Sequence, residues 1–114
     1  MIMFELFFKL IVAHVFVDFS LQSDLMGKAK NKNNESYPRL VGEGYVPYWP
    51  YWLTAHAVIH GGAVYLATGS LLFGCIEIIA HWIIDFAKCE KWTNTNQDQI
   101  LHALCKVIYI GFLI

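Results

Sequence analysis

From Leu53 to Ala87 the chain is an almost unbroken apolar block, longer than the roughly 20 residues that one helix needs to cross a bilayer core. Its longest interruption is the run of small and polar residues ATGS at 67–70. Such a break supplies a tight turn, so the block predicts a helical hairpin. An apolar segment lies on either side of it. Together they predict helices at about 2–22, 51–68, 71–88 and 97–114, with a long loop over 23–50.

Composition bears on how such helices are solvated. Hydrophobic residues make up 57% of the 114, and charged residues only 15%, where a soluble domain carries about 25%. Mean hydropathy is +0.46. The expectation is an all-α integral membrane bundle of four transmembrane helices in up-down order, forming a single domain 1–114. The first segment, MIMFELFFKLIVAHVFV, lacks a basic n-region and a small-residue cleavage site and holds Glu5, Lys9 and His14, so it reads as a retained span, not a signal peptide.

Lys28, Lys30, Lys32, Arg39, Lys88 and Lys91 fall on the loop face, which the positive-inside rule makes cytoplasmic. Both termini would then lie outside the inner membrane. Tyr45, Tyr48, Trp49, Tyr51, Trp52 and Trp92 read as an interfacial aromatic belt. The lipid bilayer is the first expected partner. A net charge of −1 offers no basic face for a phosphate backbone and excludes nucleic acid. Cys75, Cys89 and Cys105 form no CxxC pair, so they read as small buried residues and not as a disulfide framework or a thiolate zinc site.

Within these apolar segments stand pairs of polar residues four apart: His14 and Asp18, His56 and His60, His81 and Asp85, Asp98 and His102. Residues at that spacing share one helix face. In the first and third helices the pair comes late, and in the second and fourth it comes early. In an up-down bundle all four pairs therefore fall within roughly 10 Å of one end.

Ionised groups at the centre of a span cost roughly 2.5–3.5 kcal/mol each on insertion scales, so these residues should face the bundle interior. There they supply the nitrogen and oxygen donors that Zn, Mn, Fe or Mg sites use. Eight donors suit two divalent ions about 3.5–4 Å apart, bridged by an aspartate. Without metal, the same groups would make a proton-linked polar network or interhelical hydrogen bonds.

Glu77 precedes His81 by four and Lys106 follows His102 by four, which predicts an ion pair one turn beneath the polar layer. Gln22 and Lys88 extend the stripes outward, either to bind an anion or to cap and snorkel. Gly61 and Gly62 suit close helix packing.

The motifs AHVFVDFSLQSD, HAVIH, HWIIDFAK and DQILH, in this order, resemble the small membrane proteins of domain-of-unknown-function family 3307, found in bacteria and their phages. The resemblance covers nearly the whole chain. Its motif positions fall on His14, Asp18, Gln22, His56, His60, His81, Asp85, Lys88, Asp98, Gln99 and His102. The repeated His and Asp pattern also resembles, more loosely, membrane-bound metal-dependent hydrolases.

The functional expectation is a divalent-metal site built from His14, Asp18, His56, His60, His81, Asp85, Asp98 and His102. In a hydrolase of a lipid or membrane-associated substrate, an aspartate, Asp18 or Asp85, would serve as general base and Lys88 would hold an anion. Competing expectations are a proton or metal-ion transporter, and a small interaction protein locked by its polar layer. Whether one chain completes the site, or a homo-oligomer does, stays open at this point.

Overall fold

The computed structural model describes residues 2–34 and 49–113. Arg39, Tyr45, Tyr48 and half of the expected loop, 35–48, lie outside the described residues. Helix α1 spans Ile2–Val15 and runs on into a π-helical turn, Phe16–Leu21; a short helix α2 follows at Asp24–Ala29. The long helices α3, Trp49–Thr68, α4, Leu71–Cys89, and α5, Thr95–Leu113, complete the described chain. The four apolar segments thus fold as expected to within two residues at each end. Helix α2 falls where only loop was expected.

Local chemistry sets the helix ends. Gly69 takes a left-handed φ of 73° and its N–H donates to Tyr65 O at 2.7 Å, closing α3. Ser70 then caps α4 by accepting from the Phe73 N–H. Before α5, Asn94 Oδ1 accepts from the Gln97 N–H at 2.8 Å while Gln97 Oε1 accepts from the Asn94 N–H at 2.9 Å, a reciprocal capping box. Ser23 caps α2 through the Met26 N–H.

The long helices form a ring in which α3 packs on α1 and α4, and α5 on α4 and α1. The closest approach is between α3 and α4. A Cβ on Gly61 would stand 2.6 Å from Gly74 O, and one on Gly74 would stand 3.0 Å from Gly61 O. Gly62, by contrast, has nothing within 4 Å. At one level the interior is apolar, with Leu10, Val64, Tyr109 and Ile110 in one buried cluster.

The transmembrane expectation is corrected here. No helix among the described residues is long and apolar enough to cross a membrane. The physical reason lies in the residues that make the interior polar. Helix α1 proper has only 14 residues, α4 carries Glu77, Asp85 and Lys88, and α5 opens on TNQDQ and carries Lys106. Overall composition counted apolar residues without weighing how these groups interrupt each helix. The multi-pass inner-membrane placement, with its cytoplasmic loop and outer termini, falls with it.

Of the expected aromatic belt, Trp92 is exposed, whereas Trp49 is held within the protein. Trp49 packs on Phe86 at 5.7 Å and on Trp82 at 6.2 Å, pinning the start of α3 to α4. Of the three cysteines only Cys89 is buried; Cys75 is exposed and Cys105 lies between.

Candidate metal centre

Each long helix carries its polar residues on one inward stripe. On α4 the stripe is Glu77, His81, Asp85 and Lys88; on α5 it is Asp98, His102, Lys106 and Tyr109. Helix α3 contributes His56 and His60. His14 lies in the last turn of α1 proper, and Asp18 sits on the π-helical turn that follows it. A widened turn of this kind frequently marks a functional site.

All five histidines of the chain meet in one cluster. The His60 and His81 rings stack at 3.6 Å and the His81 and His102 rings at 4.2 Å. His14 lies 5.1 Å from both His60 and His102, and His56 lies 4.7 Å from His60.

Asp18 is the carboxylate around which imidazoles gather. The His60 Nε2 donates to its Oδ1 at 2.9 Å, the His56 Nε2 lies 3.3 Å from the same oxygen, and the His14 Nε2 lies 3.3 Å from Oδ2. One ligand atom from each of Asp18, His56, His60 and His81 lies within 4.8 Å of every other. Three imidazoles and a carboxylate are nitrogen and oxygen donors of the kind that zinc takes.

Both ring nitrogens of His56 and of His81 are buried without a hydrogen-bond partner, where such a group ordinarily costs about 1–3 kcal/mol. A cation held by this set would satisfy nitrogens that the protein leaves unpaired. The chemistry and packing of the four residues fit a divalent ion.

The other two aspartates are engaged by cations of the chain. Lys30 Nζ lies 2.6 Å from Asp85 Oδ2, and Lys88 Nζ lies 3.3 Å from Asp85 Oδ1 and 3.6 Å from Asp98 Oδ2. Gln99 ties this side to the imidazoles. Its Nε2 donates to Asp18 Oδ2 and to Asp98 Oδ2, both at 3.2 Å, while its Oε1 accepts from the His14 Nε2 at 3.1 Å.

One turn deeper, Lys106 Nζ reaches Glu77 Oε1 at 2.6 Å and the Tyr109 hydroxyl donates to Glu77 Oε2 at 2.7 Å. The expected Glu77–Lys106 pair is therefore present. Glu77, His81 and His102 also bring donors within 4.8 Å of one another. Because both Glu77 oxygens already hold strong partners, this second group is the poorer cation site.

Electrostatics sorts the same residues. Burial pushes the Asp18 carboxyl up, but the imidazoles of His14, His56 and His60 gathered against it outweigh that and hold the group well below the usual carboxylate range. Asp85, raised by burial, is held at about 2 by the charges of Lys30 and Lys88. Burial pulls His60 down to about 4, partly offset by Asp18. Burial, reinforced by His60 and His102, depresses His81 further. His60 and His81 are thus neutral near pH 7, the form that ligates metal. Burial lowers the Lys88 ammonium, but Asp85 and Asp98 outweigh that and raise it above its usual range.

Of the eight expected ligands, the structure brings Asp18, His56, His60 and His81 into one donor set. His14 and His102 stand at its border, His14 on Asp18 and Gln99 and His102 stacked on His81, with His102 Nε2 3.5 Å from Asp98 Oδ1. Asp85 and Asp98 turn instead to lysines. Neither Asp18 nor Asp85 has the basicity of a general base in this state, and Lys88, faced by two carboxylates, is not a free anion clamp. Gln22 ends the π-helical turn and rests its side chain over Gly27.

Sequence reasoning missed Lys30, which lies in a polar stretch without periodicity. It also missed Tyr109, which three residues after Lys106 continues a visible stripe.

Fold and site together define a class: a four-helix bundle with a buried His/Asp layer that has the donors for a metal ion. The chain belongs to the family described as protein of unknown function DUF3307, whose model matches residues 6–114. No curated protein and no solved structure matches it.

Proposed function

We propose that this chain is a divalent-metal protein whose centre is Asp18, His56, His60 and His81, and that the reaction it suits is metal-assisted hydrolysis of a phosphoester or amide. One observation carries the reading. Three imidazoles and a carboxylate from three separate helical segments offer donors within 4.8 Å of one another, and two of those imidazoles make no well-formed hydrogen bond.

Charge supports the hydrolytic part. Asp18, Asp85 and Asp98 outnumber Lys30 and Lys88 by a single charge in the layer. A divalent ion held there would reverse that sign. When bound, the ion would supply a water with a pKa near 7. That answers the lack of a basic aspartate. Asp18 is the donor nearest solvent, with a side chain 14% exposed against 1% for the three histidines, so substrate would enter on its side, beside Gln99.

Elemental analysis of protein purified without a His tag tests the metal. About one ion per chain is expected, lost in His81→Ala and kept in Glu77→Gln. Chromogenic phosphodiester and amide substrates test the reaction, with turnover abolished by chelation and restored by the ion. A wild-type chain free of metal after gentle purification, and unable to take it up, sinks the proposal.

A second reading, a metal-free polar lock, is favoured by the way Gln99 bridges Asp18 and Asp98. Under it, chelator leaves both the melting temperature and the function of the chain unchanged.

A further inference from the structure

Lys30 is a buried cation that the four-donor centre does not use. It is only 5% exposed, and lysine is almost never so buried unless paired. Helix α2 is too short to hold it alone; the segment is strapped to α4 by further contacts. Asn33 Nδ2 donates to Cys89 O at 2.9 Å, Lys32 Nζ lies 2.9 Å from Glu90 Oε1, and the same ammonium stands 5.6 Å from the ring centres of Trp49 and Phe86. The strap delivers an ammonium to one oxygen, Asp85 Oδ2.

That oxygen has a second neighbour. His56 Nε2 lies 3.8 Å from Asp85 Oδ2 and 3.3 Å from Asp18 Oδ1. His56 therefore stands between two carboxylates, one inside the donor set and one turned to a lysine. A carboxylate so close to the imidazoles has the chemistry of a ligand in a paired-ion site. Here each of its oxygens faces a cation of the protein, Lys30 at Oδ2 and Lys88 at Oδ1.

We infer that the Lys30 ammonium takes the place of a second cation, withholding Asp85 as a ligand and limiting the centre to a single metal ion. The inference rests on the proposed metal reading and adds what sets the number of ions. Removing the ammonium frees Asp85 Oδ2, 3.8 Å from His56 Nε2, as a donor for a second divalent ion on the Asp85 side of His56.

Zinc titration with elemental analysis of the untagged chain tests it. The wild type is expected to saturate at about one ion per chain and Lys30→Met, prepared in zinc throughout, at about two. The double variant Lys30→Met/Asp85→Asn, which removes both charges, returns to about one. A folded Lys30→Met that still saturates at one ion overturns the inference and leaves the metal reading standing. If Lys30→Met does not fold, the wild type decides: saturation at one ion supports the inference, and a second ion that Asp85→Asn abolishes overturns it. A wild type that takes up no zinc overturns both.

Discussion

Around Leu10, Val64, Tyr109 and Ile110 the helices meet through apolar side chains. One or two turns away the same helices meet through His14, His56, His60, His81, Asp85, Asp98 and His102, all buried. Leu10 precedes His14 by four residues and Val64 follows His60 by four, so the change is abrupt along single helices. Apolar packing is tolerant of partner identity and supplies stability by area removed from water. The polar layer is intolerant, because each buried group needs a matched neighbour. On the proposed metal reading, the apolar level supplies stability and the polar level supplies binding.

Breaking the seam between the two levels should have the largest effect. Lys106 and Glu77 are each 1% exposed and paired at 2.6 Å. Lys106→Met strands a buried carboxylate and should destabilise the fold by about 3–5 kcal/mol in urea unfolding, because an uncompensated buried charge is left behind. Adding Glu77→Gln should recover most of that loss. A single variant that unfolds like the wild type would show that the seam does not separate the levels.

A crossed pair of substitutions sharpens the comparison. Leu10 is fully buried; Leu10→Ala should cost about 2–5 kcal/mol of stability while leaving metal content unchanged. His60→Ala should do the reverse, weakening metal affinity by at least about 100-fold, or about 2.7 kcal/mol, with a smaller change in the metal-free unfolding midpoint. Parallel calorimetry and metal titration decide it. Equal effects of both variants on both readouts would erase the distinction.

The polar level was the more legible of the two in the sequence. His14 with Asp18, His56 with His60, His81 with Asp85 and Asp98 with His102 share faces by spacing, and their depths converge because the helices alternate in direction. The same logic placed Glu77 against Lys106. It could not separate ligands from ion-pair partners, because Lys30 arrives from a short helix with no apolar period and claims Asp85 from outside the stripes. Nor could it see the π-helical turn under Asp18, which no residue type announces. The membrane reading failed for a related reason: hydropathy summed over the chain does not register that each helix spends part of its length on the polar layer.

Two adjacent glycines give the smallest test and the most local one. Gly61 and Gly62 are chemically identical neighbours on α3, and spacing alone suggested the same role for both. Only Gly61 faces α4, where an added Cβ would press on the Ile78 side chain and stand 2.6 Å from the Gly74 carbonyl oxygen; beside Gly62 there is open space. The obstacle at Gly61 is backbone, which cannot rotate away, so Gly61→Ala should push α3 from α4 and destabilise by about 1–3 kcal/mol. Because His60 precedes Gly61 and His81 lies on α4, that displacement should also weaken metal binding. Gly62→Ala meets no neighbour and replaces a poor helix former by the best one, so it should stabilise by about 0.5–1 kcal/mol with metal affinity unchanged. Urea unfolding and zinc titration of the two variants read both effects, and a Gly61→Ala chain as stable as Gly62→Ala would mean that the α3–α4 contact is not what aligns the histidines.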